Sequence, residues 1–114
     1  MIEMRCELEC DSLRLTNVIY GRLLSKCRIK DLMKMIKEKP NEDFYIIVNR
    51  NDPLKVEIRR DRNGKYRYKS GEELVIPIPK RFAVLEPDEN YFRQTLKANI
   101  FLALNGADEK ELHL

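Results

Sequence analysis

The chain has 114 residues, the common size of one domain and enough to bury a core without disulfides or metal. Hydrophobic residues make up 43% and charged residues 36%, with a net charge of +3 and a pI of about 8.8. Patterned apolar residues exclude a disordered chain, no apolar run nears the roughly 18 residues of a membrane span, and mild basicity admits an acidic partner without demanding one.

Residues 2–10 alternate. Ile2, Met4, Cys6, Leu8 and Cys10 share one side, and Glu3, Arg5, Glu7 and Glu9 share the other. A period of two predicts a strand with one buried face, antiparallel or at an edge. Residues 12–27 are ambiguous: Leu13 and Leu15 suit a strand, whereas Val18, Ile19, Leu23, Leu24 and Cys27 suit a helix. Over 28–39, Ile29, Leu32, Met33 and Ile36 form a helical stripe that Pro40 stops.

The run 43–49, Asp-Phe-Tyr-Ile-Ile-Val-Asn, predicts a central strand covered on both faces. Asn51-Asp52-Pro53 reads as a turn. Asn63-Gly64, between 54–62 and 65–69, is a strong hairpin signal. Residues 73–78 read as a strand whose end Pro77 and Pro79 confine to a sheet edge. The last helix is bounded by Pro87 and an acidic first turn and by Asn105-Gly106 as its cap. The tail 107–114 is charged and expected to fray. This order predicts one α+β domain over residues 1–106, with a mostly antiparallel sheet of about 4–5 strands and two main helices packed on it.

The polar residues are lopsided. Gln94 is the one glutamine, threonine is confined to Thr16 and Thr95, and Lys, Arg and Glu take the vacated places. Such a bias fits a source in a hot environment.

Catalytic chemistry finds little footing. His113, the one histidine, is penultimate, which argues against His-based acid–base and nucleophilic sites. The three cysteines, Cys6, Cys10 and Cys27, are odd in number and follow no signal peptide, so free thiols in a reducing cytoplasm are expected. On a strand, Cys6 and Cys10 would lie about 13 Å apart, too far to share an ion, and read as core residues. Glu3, Glu7 and Glu9 read as a solvated strand face. The four glycines are isolated and form no phosphate loop. The expectation is a non-enzymatic protein with no metal or cofactor.

Two features stand above background. If 54–62 and 65–69 pair through Asn63-Gly64, Arg62 faces Lys65 and Arg60 faces Arg67, an unfavourable meeting of like charges. That predicts a projecting basic ribbon with Arg59, Arg60, Arg62, Lys65, Tyr66, Arg67 and Tyr68 as partner contacts. It would grip phosphates of RNA or DNA, or dock an acidic protein patch; a solvated hairpin guarding a sheet edge is the plain alternative. The second feature is the last helix, apolar on more than one stripe. A second subunit on the surplus face would make a homodimer through Phe92, Ile100, Phe101 and Leu104.

Met-Ile-Glu-Met-Arg-Cys-Glu-Leu-Glu-Cys, Asp-Phe-Tyr-Ile-Ile-Val-Asn-Arg and the Lys/Arg/Glu-rich texture resemble the small accessory proteins of rod-shaped viruses of hyperthermophilic archaea. The resemblance spans the chain but carries no functional motif. It implies similarity to a group that inhibits type III-B CRISPR effector complexes by binding them. The implied partner is a host protein or ribonucleoprotein in the host cytoplasm. Modest net charge sets this reading ahead of direct nucleic-acid binding.

Overall fold

The computed structural model describes the backbone of residues 2–85 and 87–114, and the side chains of 11–85 and 87–114. Helix α1 (Ile2–Lys26) and helix α2 (Ile29–Glu38) precede strands β1 (Asp43–Asn49), β2 (Asp52–Asp61) and β3 (Glu73–Pro77). A short helix α3 (Arg81–Val84) and a long helix α4 (Glu89–Leu104) follow, then a 3-10 turn at Glu109–Glu111. The class is α+β, as expected. The described sheet has three antiparallel strands in the order β2-β1-β3, fewer than the sequence suggested, and the helices outnumber the two foreseen.

Residues 2–10 are helical, which corrects the expected strand. Glu3, Met4, Arg5, Glu7, Leu8 and Glu9 are strong helix formers, and neither Gly nor Pro interrupts the run before Gly21. Propensity therefore outweighs the period-two pattern. The strand spacing reckoned for Cys6 and Cys10 does not hold on this backbone, and their expected burial falls outside the described side chains. The ambiguous stretch 12–27 resolves as the rest of α1. Its buried stripe is Thr16, Ile19, Tyr20 and Leu23, at i, i+3, i+4 and i+7.

β1 is central, and all five of its interior residues are buried. Phe44, Ile46 and Val48 join Val56, Leu74 and Ile76 in the main core with Ile19, Leu23, Leu32, Ile36, Phe92, Leu96 and Ile100 from the helices. On the opposite face, Tyr45, Ile47 and Val75 form a small second core under Tyr66. A two-residue turn joins β1 to β2, pairing Ile46 with Ile58 and Val48 with Val56. Arg50, in that turn, donates from Nη2 to the Leu104 carbonyl at 3.0 Å, a cation at the carbonyl end of α4.

The segment after β2 does not return along it, so the expected 54–69 hairpin is absent. Its pull goes elsewhere. Tyr66 lies over the second face, its ring centroid 5.7 Å from that of Tyr45. Tyr68 donates to the Ala107 carbonyl, and Ser70 donates to the Ala103 carbonyl at 2.6 Å. Lys69 bridges Val75 on the outer side of β3. The Ser70 and Tyr68 bonds satisfy carbonyls in the last turn of α4 and just beyond it, while the hairpin would have set like charges face to face.

α4 begins at Asp88, whose side chain accepts from the Tyr91 amide at 3.1 Å, and ends near Gly106 at φ +77. Much of its apolar surface is used within the chain, while Tyr91 stays exposed. Phe92, Ile100 and Leu104 are buried in the core and Phe101 is half-buried. The first three are thus unavailable to a second subunit, which corrects the interface expected there. The tail does not fray either. Asn99, buried in α4, accepts from the His113 amide at 2.8 Å and donates to the His113 carbonyl at 3.1 Å, while Leu112 is buried. A buried amide side chain needs such partners, and the main chain of the tail supplies them. No described helix is long and apolar enough to cross a membrane.

Candidate basic interface

The turn leaving β2 is built around Asp61. This carboxylate is buried and accepts from the Asn63 amide at 3.0 Å and the Tyr66 amide at 2.7 Å. Gly64, at φ +66, lets the chain reverse between them. The Tyr66 amide, then burial acting in the opposite sense and the Asn63 and Lys65 amides, leave the Asp61 pKa below its ordinary value.

A second buried carboxylate, Glu42, sits where α2 gives way to β1. Its Oε1 accepts from Arg62 Nε at 2.5 Å, and its Oε2 is 3.9 Å from Arg60 Nη1. The Arg62 hydrogen bond holds its pKa down against the cost of burial, helped by the charges of Arg62, Lys39 and Arg60. Glu42, Arg60, Asp61, Arg62, Asn63, Lys65 and Tyr66 line one shallow hollow of about 460 Å³. Glu42, Arg62 and Lys39 also line an adjoining hollow of about 400 Å³. The two carboxylates face inward. The two arginines that Glu42 holds stay in solvent, with the Arg62 side chain 75% exposed and that of Arg60 50% exposed. The surface at this end of the sheet is therefore basic although the charges beneath it are mixed.

The seven expected contact residues divide. Arg60, Arg62 and Lys65 share the hollow, with Tyr66 on its wall. Arg67 is exposed nearby, close enough to act on the Tyr45 hydroxyl's charge balance. Among the described residues, neither Lys65 nor Arg67 has a carboxylate within ion-pair distance. Arg59 lies on the second face of the sheet. It donates to Glu57 at 2.7 and 3.0 Å and to the Tyr66 hydroxyl at 2.8 Å, bonds that raise its pKa further. Tyr66 and Tyr68 are part of the fold and are not free stacking platforms. The facing like charges that drew attention to this segment have a structural account: Arg60 and Arg62 converge on Glu42.

Sequence reasoning missed Glu42, Asp61 and Lys39. Asp61 carried a faint signal, because an Asp two residues before Asn-Gly is placed to accept turn amides. Glu42 carried none, since its arginines lie at the far end of another strand. A larger groove, about 580 Å³, runs between Lys26, Cys27, Met35 and residues 57–60. Burial and then Asp31 push the Cys27 thiol's pKa up, so it is a poor nucleophile. No group of three or more metal-ligating side chains gathers among the described residues.

An uncharacterized protein of Archaeoglobus fulgidus is 44% identical over 100 residues, a match covering 88% of this chain and 89% of the relative. The chain belongs to that protein's family. That relative comes from a hyperthermophilic archaeon, which is in keeping with the charge-rich, glutamine-poor composition of this chain. No family model matches the chain, and no solved structure does.

Proposed function

We propose that this family member is a non-enzymatic binding module that grips the phosphate backbone of a nucleic acid through Lys39, Arg60, Arg62, Lys65 and Arg67. One observation carries the reading: the buried Glu42 carboxylate braces exposed arginines at a surface where no described residue offers an exposed apolar anchor. Among the described residues the large exposed apolar side chains are Leu13, Leu54, Val84, Leu85, Tyr91 and Leu114, none of them in the 59–67 segment. Protein interfaces concentrate their energy in buried apolar and aromatic centres with a polar rim. Phosphate backbones need only positioned cations. The geometry therefore favours nucleic acid over an acidic protein, reversing the order that net charge suggested. Because Tyr66 and Tyr68 are committed to the fold, the binding would be tolerant of sequence and would not stack splayed bases. Inhibition of a CRISPR complex has only the texture of the sequence behind it.

The test is fluorescence anisotropy with two labelled 20-base-pair duplexes of unrelated sequence. The parent should bind both alike. Lys65→Glu with Arg67→Glu should weaken binding of both by about tenfold or more, since two phosphate contacts become repulsions. Equal binding by parent and variant, or none by the parent, would contradict the proposal.

A further inference from the structure

We infer that Glu42 is a positioning residue, holding Arg62 by one edge so that its outer guanidinium edge, with Arg60 beside it, seats a single phosphate group. The inference rests on the backbone-binding reading above and deepens it. Arg62 meets Glu42 through Nε, at 2.5 Å from Oε1. A guanidinium held through Nε keeps both Nη groups for another ligand, and its fork matches two oxygens of a phosphate. Among the described residues, no acceptor meets either Nη of Arg62, and the side chain is 75% exposed. A side chain fixed in this way loses less freedom on capturing its ligand than a free surface arginine would.

Arg60 is the adjustable prong. Its Nη1 is 3.9 Å from Glu42 Oε2, an ion pair but not a hydrogen bond. Among the described residues, no donor reaches that oxygen, although Glu42 is nine-tenths buried. Lys65 lines the same hollow and Lys39 acts on Glu42 from the adjoining one, so every cation around the carboxylate opens onto solvent. A carboxylate whose task were to neutralise this end would sit outside among the cations. Glu42 sits beneath them, at the junction of α2 and β1.

Two conservative variants separate positioning from charge counting, with opposite signs for one of them. Arg62→Lys keeps the charge and loses the fork. Glu42→Gln keeps the size and removes a negative charge, making the protein more positive. The probe is a labelled 20-base-pair duplex at fixed salt, with thermal melting as a check on the fold. Positioning requires Arg62→Lys to weaken binding about tenfold, the scale of one charge-assisted bidentate contact. It also requires Glu42→Gln to weaken binding, despite the gain in positive charge. If Arg62→Lys binds like the parent and Glu42→Gln binds more tightly, charge alone matters and the inference is overturned. A parent that binds no duplex would overturn both this inference and the proposed function; a parent that binds while these variants behave as charge counting requires leaves only the latter standing. Arg62→Lys alters a surface side chain, so its result stands even if Glu42→Gln melts early.

Discussion

Glu42 and Asp61 are two buried carboxylates beneath an exposed basic surface, one bracing Arg62 and the other fixing the turn that carries Lys65. Each has a lowered pKa, Glu42 through the Arg62 guanidinium and Asp61 through the Tyr66 amide. A carboxylate whose folded pKa lies below its unfolded value contributes stability above the unfolded pKa, and that stability is lost as pH falls through the folded pKa. The window opens near pH 4 and extends downward, because ordinary carboxylates titrate at about 3.9–4.3. Thermal melting from pH 7 to pH 3 should show the parent losing stability in this window, while Glu42→Gln with Asp61→Asn starts lower and falls less steeply. Parallel curves would mean that neither carboxylate is specially stabilised. A charge reversal at Arg62 would act on more than binding. A Glu there would set a second carboxylate against Glu42, so it would disturb the fold and not only the surface. None of this was legible in the sequence beyond the Asn63-Gly64 turn, because Glu42 and Arg62 meet only through the pairing of β1 with β2.

At the scale of elements, legibility followed the strength of local signals. β1, α2 and α4 declared themselves through an unbroken apolar run, a clear helical stripe and paired end signals. Residues 2–10 misled because alternation is compatible with a strand while Glu, Leu, Met and Arg favour a helix. Residues 65–69 misled because a turn dipeptide fixes a reversal but not the partner of the returning chain. Here Tyr68 and Ser70 found carbonyls at the end of α4. α3, only four residues long, was too short to carry a periodic signal. Gly21 offers a direct test of α1. It lies within the helix, exposed, and a Cβ there would meet nothing within 4 Å. Glycine in an exposed helix interior costs about 0.8–1 kcal/mol relative to alanine. Gly21→Ala should therefore raise the unfolding free energy by about that amount in a urea titration. A loss of stability would show that the chain is not helical through position 21.

The whole molecule places its helices against one face of a three-stranded sheet and its exposed cations at the end where α2 meets β1 and β2 stops. Tyr66 packs on the opposite face against Tyr45, Ile47 and Val75. α4, whose apolar girth suggested a second subunit, buries Phe92, Leu96, Ile100 and Leu104 in the core of its own chain. The fold class was legible in the order of elements. The candidate surface was half legible: the sequence marked its cations, and folding supplied the Glu42 carboxylate that arranges two of them. The central claim, that these cations engage phosphates, is tested most directly by the salt dependence of duplex binding. Plotted as log affinity against log salt, each neutralised phosphate adds about −0.9 to the slope. Four contacts, one shared by Arg60 and Arg62 and one each from Lys39, Lys65 and Arg67, should give a slope of about −3.6 that becomes shallower in Lys65→Glu with Arg67→Glu. A slope near zero would contradict the account, because binding would then proceed without releasing counterions from the backbone.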